Sequence, residues 1–162
     1  TEKEQDELLG QWPFGNELQK GWRWKIKGVP VWHSAESLLR LEILAERFDL
    51  ICIGSSPGLS PDSPQWWTRM HQAFDILTDK DGNPKIKVHL LKGLRPSIFT
   101  KLPISSADST MVGRHTDDKT SKWTGTYKPI TIFTRAMVLI DRIEAFNSPK
   151  RWERKPIQMD LI

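Results

Sequence analysis

Apolar runs and amphipathic segments alternate along the chain from residue 29 onward. Four short runs, at residues 29–33, 50–54, 86–91 and 104–108, predict strands, and the run at 50–54 lacks polar alternation, as is typical of a buried strand. Each run precedes a segment whose apolar residues recur at helical spacing. Four strand-then-helix units in succession predict an α/β fold with a parallel sheet and right-handed crossovers.

Capping residues predict where the helices begin. Ser34 is expected to cap the first helix and Ser63 the second, where Pro64 takes the first helical position. The third helix is short, from residue 96 to residue 102, and the last begins at about Thr131. The apolar face of the second helix is expected to hold Trp67, Met70, Phe74 and Leu77.

Two architectures accommodate four consecutive units of this kind. One is a small open parallel α/β sheet, for example a doubly wound one. The other is half of a TIM-type (β/α) barrel, because a complete barrel needs eight units and about 250 residues. The pattern alone favours the open sheet. In both cases residues 1–28 are expected to form a connecting or covering segment, residues 29–146 the strand–helix units and residues 147–162 a C-terminal tail.

The composition is that of a soluble globular protein. Of 162 residues, 38% are hydrophobic and 27% charged, and no stretch approaches the roughly 20 apolar residues that cross a bilayer, so we expect no membrane partner. The single cysteine, Cys52, excludes an internal disulfide and a cysteine-rich zinc site and favours the cytoplasm. A net charge of +4 and a pI near 9.3 suit a nucleic-acid partner without requiring one.

Polar residues gather where the predicted strands end. His33 ends the first strand, Gly54 and Ser55 the second, Lys92 follows the third and Asp108 the fourth. Because ligands of parallel α/β sheets bind at the carboxyl ends of the strands, we expect these residues to line one rim and form a site.

Each of these residues also has an ordinary structural interpretation. Asp108 could cap a helix or close an Asx-turn, His33 could be a hydrogen-bonded imidazole in the interior, and Gly54 could serve a plain turn. The four histidines lack metal-ligand spacing, and "GSSPG" lacks the Gly-Lys-Ser/Thr of a phosphate loop. We therefore expect neither a metal nor a cofactor.

A run of motifs in order resembles a known family. The segments "PVWHSAESLLRLEILAERFDLICIGSSPG", "WWTRMHQAFDIL", "KVHLLKGL" and "SSADSTMVGRH", with the later "WTGTYKP" and "RIEAFNSPKRW", cover about residues 11 to 152. Together they resemble the C-terminal half of queuine tRNA-ribosyltransferase-like proteins of phages and bacteria, relatives of tRNA-guanine transglycosylase. That family has (β/α)8 barrels that exchange guanine for a 7-deazaguanine base.

The resemblance implies roles for particular residues. Asp108 in "SADST" stands where the family's nucleophile follows the eighth strand, so it would attack the sugar C1′ and form a covalent glycosyl-enzyme intermediate. Gly54 and Ser55, in the turn after the sixth strand, would contact the base. His33 and Lys92 would lie near the base. Arg114 would hold a phosphate.

The chain also departs from the family. The acidic motif that the first half of the barrel supplies for proton transfer is missing, and so are the zinc cysteines of the tRNA enzymes. We therefore expect half of a transglycosylase that exchanges guanine for a 7-deazapurine in DNA or tRNA, inactive alone and completed by an N-terminal half, a partner chain or a second copy. The alternative is a non-catalytic nucleic-acid-binding or interaction module that retains the fold.

Overall fold

The structure, a computed structural model, describes residues 3–4, 28–116, 123 and 127–154. Strands and helices alternate through most of this range. The strands are β1 (Val31–His33), β2 (Leu50–Gly54), β3 (Lys87–Leu90) and β4 (Ser106–Ala107). The helices are α1 (Leu38–Arg47), α2 (Pro64–Leu77), α3 (Pro96–Phe99), α4 (Met111–His115) and α5 (Ile132–Glu144).

The four strands form one sheet in the order β1-β2-β3-β4, and every pair is parallel. The predicted α/β class and the open parallel sheet are therefore confirmed. The order never reverses, so the sheet lacks the switch point of a doubly wound fold. The half-barrel is a finer statement than this sheet and stays a prediction.

The two faces of the sheet differ in what covers them. Alternate strand residues are almost fully buried among the helices; these are Trp32, Ile51, Ile53, Val88 and Leu90. The residues between them are only partly buried or exposed. They form a row across the sheet through register pairs and comprise Val31, Cys52, His89 and Ser106. Since parallel sheets are normally covered on both faces, this second face is unusual and holds the polar strand residues.

Helix starts follow the capping pattern with one correction. Ser63 caps α2 by accepting from the Trp66 amide, with Pro64 in the first turn, and Thr131 caps α5, as predicted. The cap of α1 is Ser37, whereas the prediction named Ser34. Ser34 is fully buried, and its amide donates to the Gly54 carbonyl instead.

The buried face of α2 differs slightly from the prediction. Met70, Phe74 and Leu77 are buried as expected, but Trp66 rather than Trp67 is the tryptophan in the core. Trp67 lies partly exposed, and its indole N–H donates to Asp62. The tryptophan of α2 that packs in the core is therefore Trp66, the residue before the predicted Trp67.

Segments flanking the strand–helix units are described only in part. Trp152 of the expected tail is buried against α2, where its indole N–H donates to Asp75 at 2.8 Å. The short helix α4 lies between β4 and α5 in chain order. Most of the 1–28 segment lies outside the described residues. Among the helices described, none is both long and apolar enough to cross a membrane.

Candidate functional site

The predicted rim residues all follow the carboxyl ends of their strands. His33 ends β1 and pairs in register with Gly54, the last residue of β2. Lys92 lies just beyond β3, and Asp108 directly follows β4. Because β1 to β4 are parallel neighbours in sequence order, these residues lie together at the end of the sheet where all four strands have their carboxyl ends.

The Asp108 carboxylate is held on one side and open on the other. Its Oδ1 accepts the Lys92 backbone N–H at 2.5 Å, while the side chain as a whole is 56% exposed. The Asp108 carbonyl accepts from the Leu94 amide, and the Asp108 amide donates to the Leu90 carbonyl. These bonds fix the residue to the turn after β3, where Lys92 takes a left-handed conformation with φ of 59°.

Helix capping does not account for Asp108. The cap position of α4 is Thr110, which makes no side-chain cap hydrogen bond, and the Met111 amide donates to Ser109. The carboxylate serves the neighbouring strand's turn instead. The second carboxylate oxygen is thus placed at the rim without a role in starting α4.

On the partly exposed face, the His89 ring lies between Ser106 and Asp108. His89 Nδ1 lies 2.8 Å from Ser106 Oγ, and His89 Nε2 lies 4.0 Å from Asp108 Oδ2. Burial and the negative charge of Asp108, in that order, raise the pKa of the Cys52 thiol above its ordinary value. Asp108, His89 and Ser106 therefore form one polar group on this face, and Cys52 pairs in register with His89 on the neighbouring strand.

The His33 ring is held from behind by a carboxylate. Glu36 Oε1 lies 3.2 Å from His33 Nδ1, and Glu36 Oε2 accepts the His33 amide at 2.9 Å. Arg40, which is almost fully buried, donates to the same oxygen at 2.6 Å and to the Val31 carbonyl at 3.0 Å. The carboxylate is thereby fixed between a buried guanidinium and an imidazole.

The opposite edge of that ring faces Gly54. A Cβ at Gly54 would lie 2.9 Å from His33 Cδ2 and 3.2 Å from His33 Nε2, so only glycine leaves room for the ring. Next to it, Ser55 and Lys92 lie at a small depression between the ends of β2 and β3, which Trp66 and Ile98 line from the helix-covered side. His33 and Asp108 are not among the residues that line it.

Arg114 stands apart from this group. It lies exposed on α4, and no hydrogen bond or ion pair within the described part of the chain joins it to the rim residues. Its predicted phosphate contact stays a prediction.

Sequence reasoning did not place Glu36, Cys52, His89 or Ser106 in the site. The proximity of His89 to Ser106 depends on strand register, which the short apolar runs do not determine. A signal for Glu36 exists in hindsight, because it follows His33 by three residues within a tight turn before α1.

Comparison with known proteins adds no relationship. No protein-family model matches the chain, no curated protein matches it, and no solved structure matches it.

Proposed function

We propose that this chain is the nucleophile-bearing half of a transglycosylase-type (β/α) barrel, which exchanges guanine for a 7-deazapurine base in DNA or tRNA. Asp108 is the nucleophile: its carboxylate attacks C1′ of the target nucleotide, the base leaves, and the resulting ester is displaced by the incoming base. Carboxylates suit this chemistry because they form an ester with an oxocarbenium-like carbon that a second nucleophile can break.

The observation that carries the proposal is the state of the Asp108 carboxylate. One oxygen is fixed by the Lys92 amide, and the other belongs to a side chain that is more than half exposed at the rim. Residues on both sides of Asp108 are small, since Ala107 precedes it and Ser109 follows it. A sugar therefore has room to approach the open oxygen.

The strand order supports the half-barrel part of the proposal. In a (β/α) barrel, successive strands are neighbours and run parallel, and the order β1-β2-β3-β4 has this form. The partly exposed sheet face would become the barrel interior, and the rim would become the catalytic face. Four further units would complete the barrel.

Substitution of Asp108 by asparagine tests the proposal. The full chain is combined with the first four strand–helix units of a queuine tRNA-ribosyltransferase-like protein as a separate polypeptide. It is then incubated with a guanine-containing oligonucleotide, and covalent adducts are separated on a denaturing gel. We expect an adduct for the wild type and none for Asp108→Asn, because the Asn side chain still accepts the Lys92 amide but is a poor nucleophile.

A matched variant controls for the loss of a negative charge. Asp81→Asn alters an exposed carboxylate in the turn between α2 and β3 and should leave adduct formation unchanged. Adduct formation by Asp108→Asn at the wild-type rate would show that Asp108 only holds the turn after β3. Oligonucleotide binding by the wild type without adduct or base exchange would instead support the non-catalytic binding module.

A further inference from the structure

From the contacts around His33 we infer a second catalytic residue: His33, oriented by Glu36, is the proton donor to the departing base. This inference rests on the proposed function. The chain lacks the acidic motif that the first half of a transglycosylase barrel would contribute, so a proton donor within this half changes what the chain itself can do.

The contacts of the His33 ring are those of an oriented acid–base group. A carboxylate beside one ring nitrogen fixes the orientation of the imidazole. Here Glu36 lies beside Nδ1 at 3.2 Å, and the buried Arg40 holds Glu36 in place at 2.6 Å. The Nε2 edge of the ring is directed at Gly54, on the rim.

The position of His33 relative to Asp108 fits opposite sides of one nucleotide. The two residues end the outer strands of the sheet, and adjacent strands lie about 4.8 Å apart, so roughly 14 Å separates their backbones. Gly54, at the end of β2, and Lys92, just beyond β3, lie between them. A displacement at C1′ needs the nucleophile and the leaving base on opposite faces of the sugar, which this spacing allows.

The proton transfers balance in both half-reactions. As Asp108 Oδ2 bonds to C1′, the C1′–N9 bond breaks, its electron pair stays on N9, and the His33 Nε2 proton moves to N7, so neutral guanine leaves. In the return step, N9 of the incoming 7-deazapurine attacks C1′, its N9 proton moves to His33 Nε2, and the ester electron pair returns to Asp108. His33 ends in the protonation state in which it began.

A leaving base that needs no proton separates this role from a structural one. A 7-methylguanine nucleotide already carries a positive charge on its base, so C1′–N9 cleavage releases a neutral base without an acid. The test measures the rate of adduct formation in the same reconstituted complex, except that alanine replaces the acidic residues of the supplied half's proton-transfer motif. The substrates are single-stranded oligonucleotides that contain either guanine or 7-methylguanine.

His33→Asn is the informative variant, because its amide can still reach Glu36 while Nε2 is lost. We expect its adduct rate to fall about a hundredfold or more with guanine and to stay near the wild-type rate with 7-methylguanine. Glu36→Gln should show the same selectivity with a smaller loss, about tenfold. Asp108→Asn should form no adduct with either oligonucleotide.

The other outcomes have separate meanings. Equal losses with both oligonucleotides, or no loss with either, would overturn the role of His33 and leave the role of Asp108 intact. Absence of a wild-type adduct with both oligonucleotides would overturn the proposed function itself. Circular dichroism of each variant identifies a loss that comes from misfolding.

Discussion

At the scale of single residues, the polar group around Asp108 shows how neighbouring charges act on one another. Cys52 lies one strand from His89 in register, on the same partly exposed face. Burial is the larger cause of its raised pKa, and the charge of Asp108 is the second. The pKa of the Cys52 thiol therefore depends on the charge of the Asp108 carboxylate.

Asp108→Asn should make Cys52 more reactive. Removal of the negative charge lowers the Cys52 pKa from its raised value, although burial still holds it above the ordinary 9.0. At a given pH below that value, more of the thiol is then ionised, and the thiolate is the form that reacts. Iodoacetamide labelling measured by mass spectrometry across pH 7 to 10 (roughly the range that spans thiol ionisation) should show a profile displaced to lower pH. An unchanged profile would mean that the carboxylate does not act on Cys52.

At the scale of elements, one contact of the tail with the body of the fold is at the turn between α2 and β3. The Trp152 amide donates to the Gly82 carbonyl at 2.8 Å, and the Trp152 ring packs against Phe74 of α2. Gly82 lies in the turn between α2 and β3, with a left-handed φ of 80°. The docking of the tail therefore requires a residue without a side chain at that position.

Two glycines allow this requirement to be measured. Gly58 and Gly82 share a φ of 80°, but a Cβ at Gly58 meets no atom within 4 Å, whereas at Gly82 it would lie 2.3 Å from the Trp152 carbonyl oxygen. Gly58→Ala should lower the free energy of unfolding by about 1–2 kcal/mol through left-handed strain alone. Gly82→Ala should cost at least about 1 kcal/mol more, since the tail must move. Urea denaturation of both variants gives the difference, and equal losses would contradict the close approach of Trp152.

The elements were largely predictable because local chemistry determines them. The run at 50–54 is strand β2 without change, and Ser63 with Pro64 begins α2 as capping rules require. The cap of α1 was misplaced because Ser34 and Ser37 both precede the apolar repeat. Only the fold shows that the Ser34 amide donates a hydrogen bond to the Gly54 carbonyl, so that Ser34 is joined to β2.

The candidate site was predictable only as a set of strand ends. His33, Gly54 and Asp108 could be assigned to one rim because parallel strands end at the same edge. The Ser106–His89 contact could not be assigned, because a shift of one residue in register would turn His89 to the other face. The hydrogen bond between the Lys92 amide and Asp108 depends on a left-handed conformation at Lys92. The sequence gives no signal for that conformation, because the residue is not a glycine.

At the scale of the whole molecule, apolar side chains are exposed on the helices at both ends of the unit. Leu39 and Ile43 are exposed on α1, which follows the first strand, and Ile132 and Phe133 are exposed on α5, which follows the last. The outer edges of β1 and β4 have no strand partner among the described residues. A closed barrel would pair the outer edges of β1 and β4 with further strands. It would also cover exposed apolar side chains on the helices.

The α5 surface should therefore take part in association. We expect the wild-type chain to sediment above its monomer mass, alone or with the complementary four units supplied. Phe133→Ser should weaken that association without lowering the free energy of unfolding, because Phe133 is 72% exposed within the chain. Gln65→Ala, an exposed polar position on α2, is the control and should leave the sedimentation unchanged. A wild-type chain that stays monomeric under both conditions would contradict the half-barrel, because its two edges would then be stable without a neighbour.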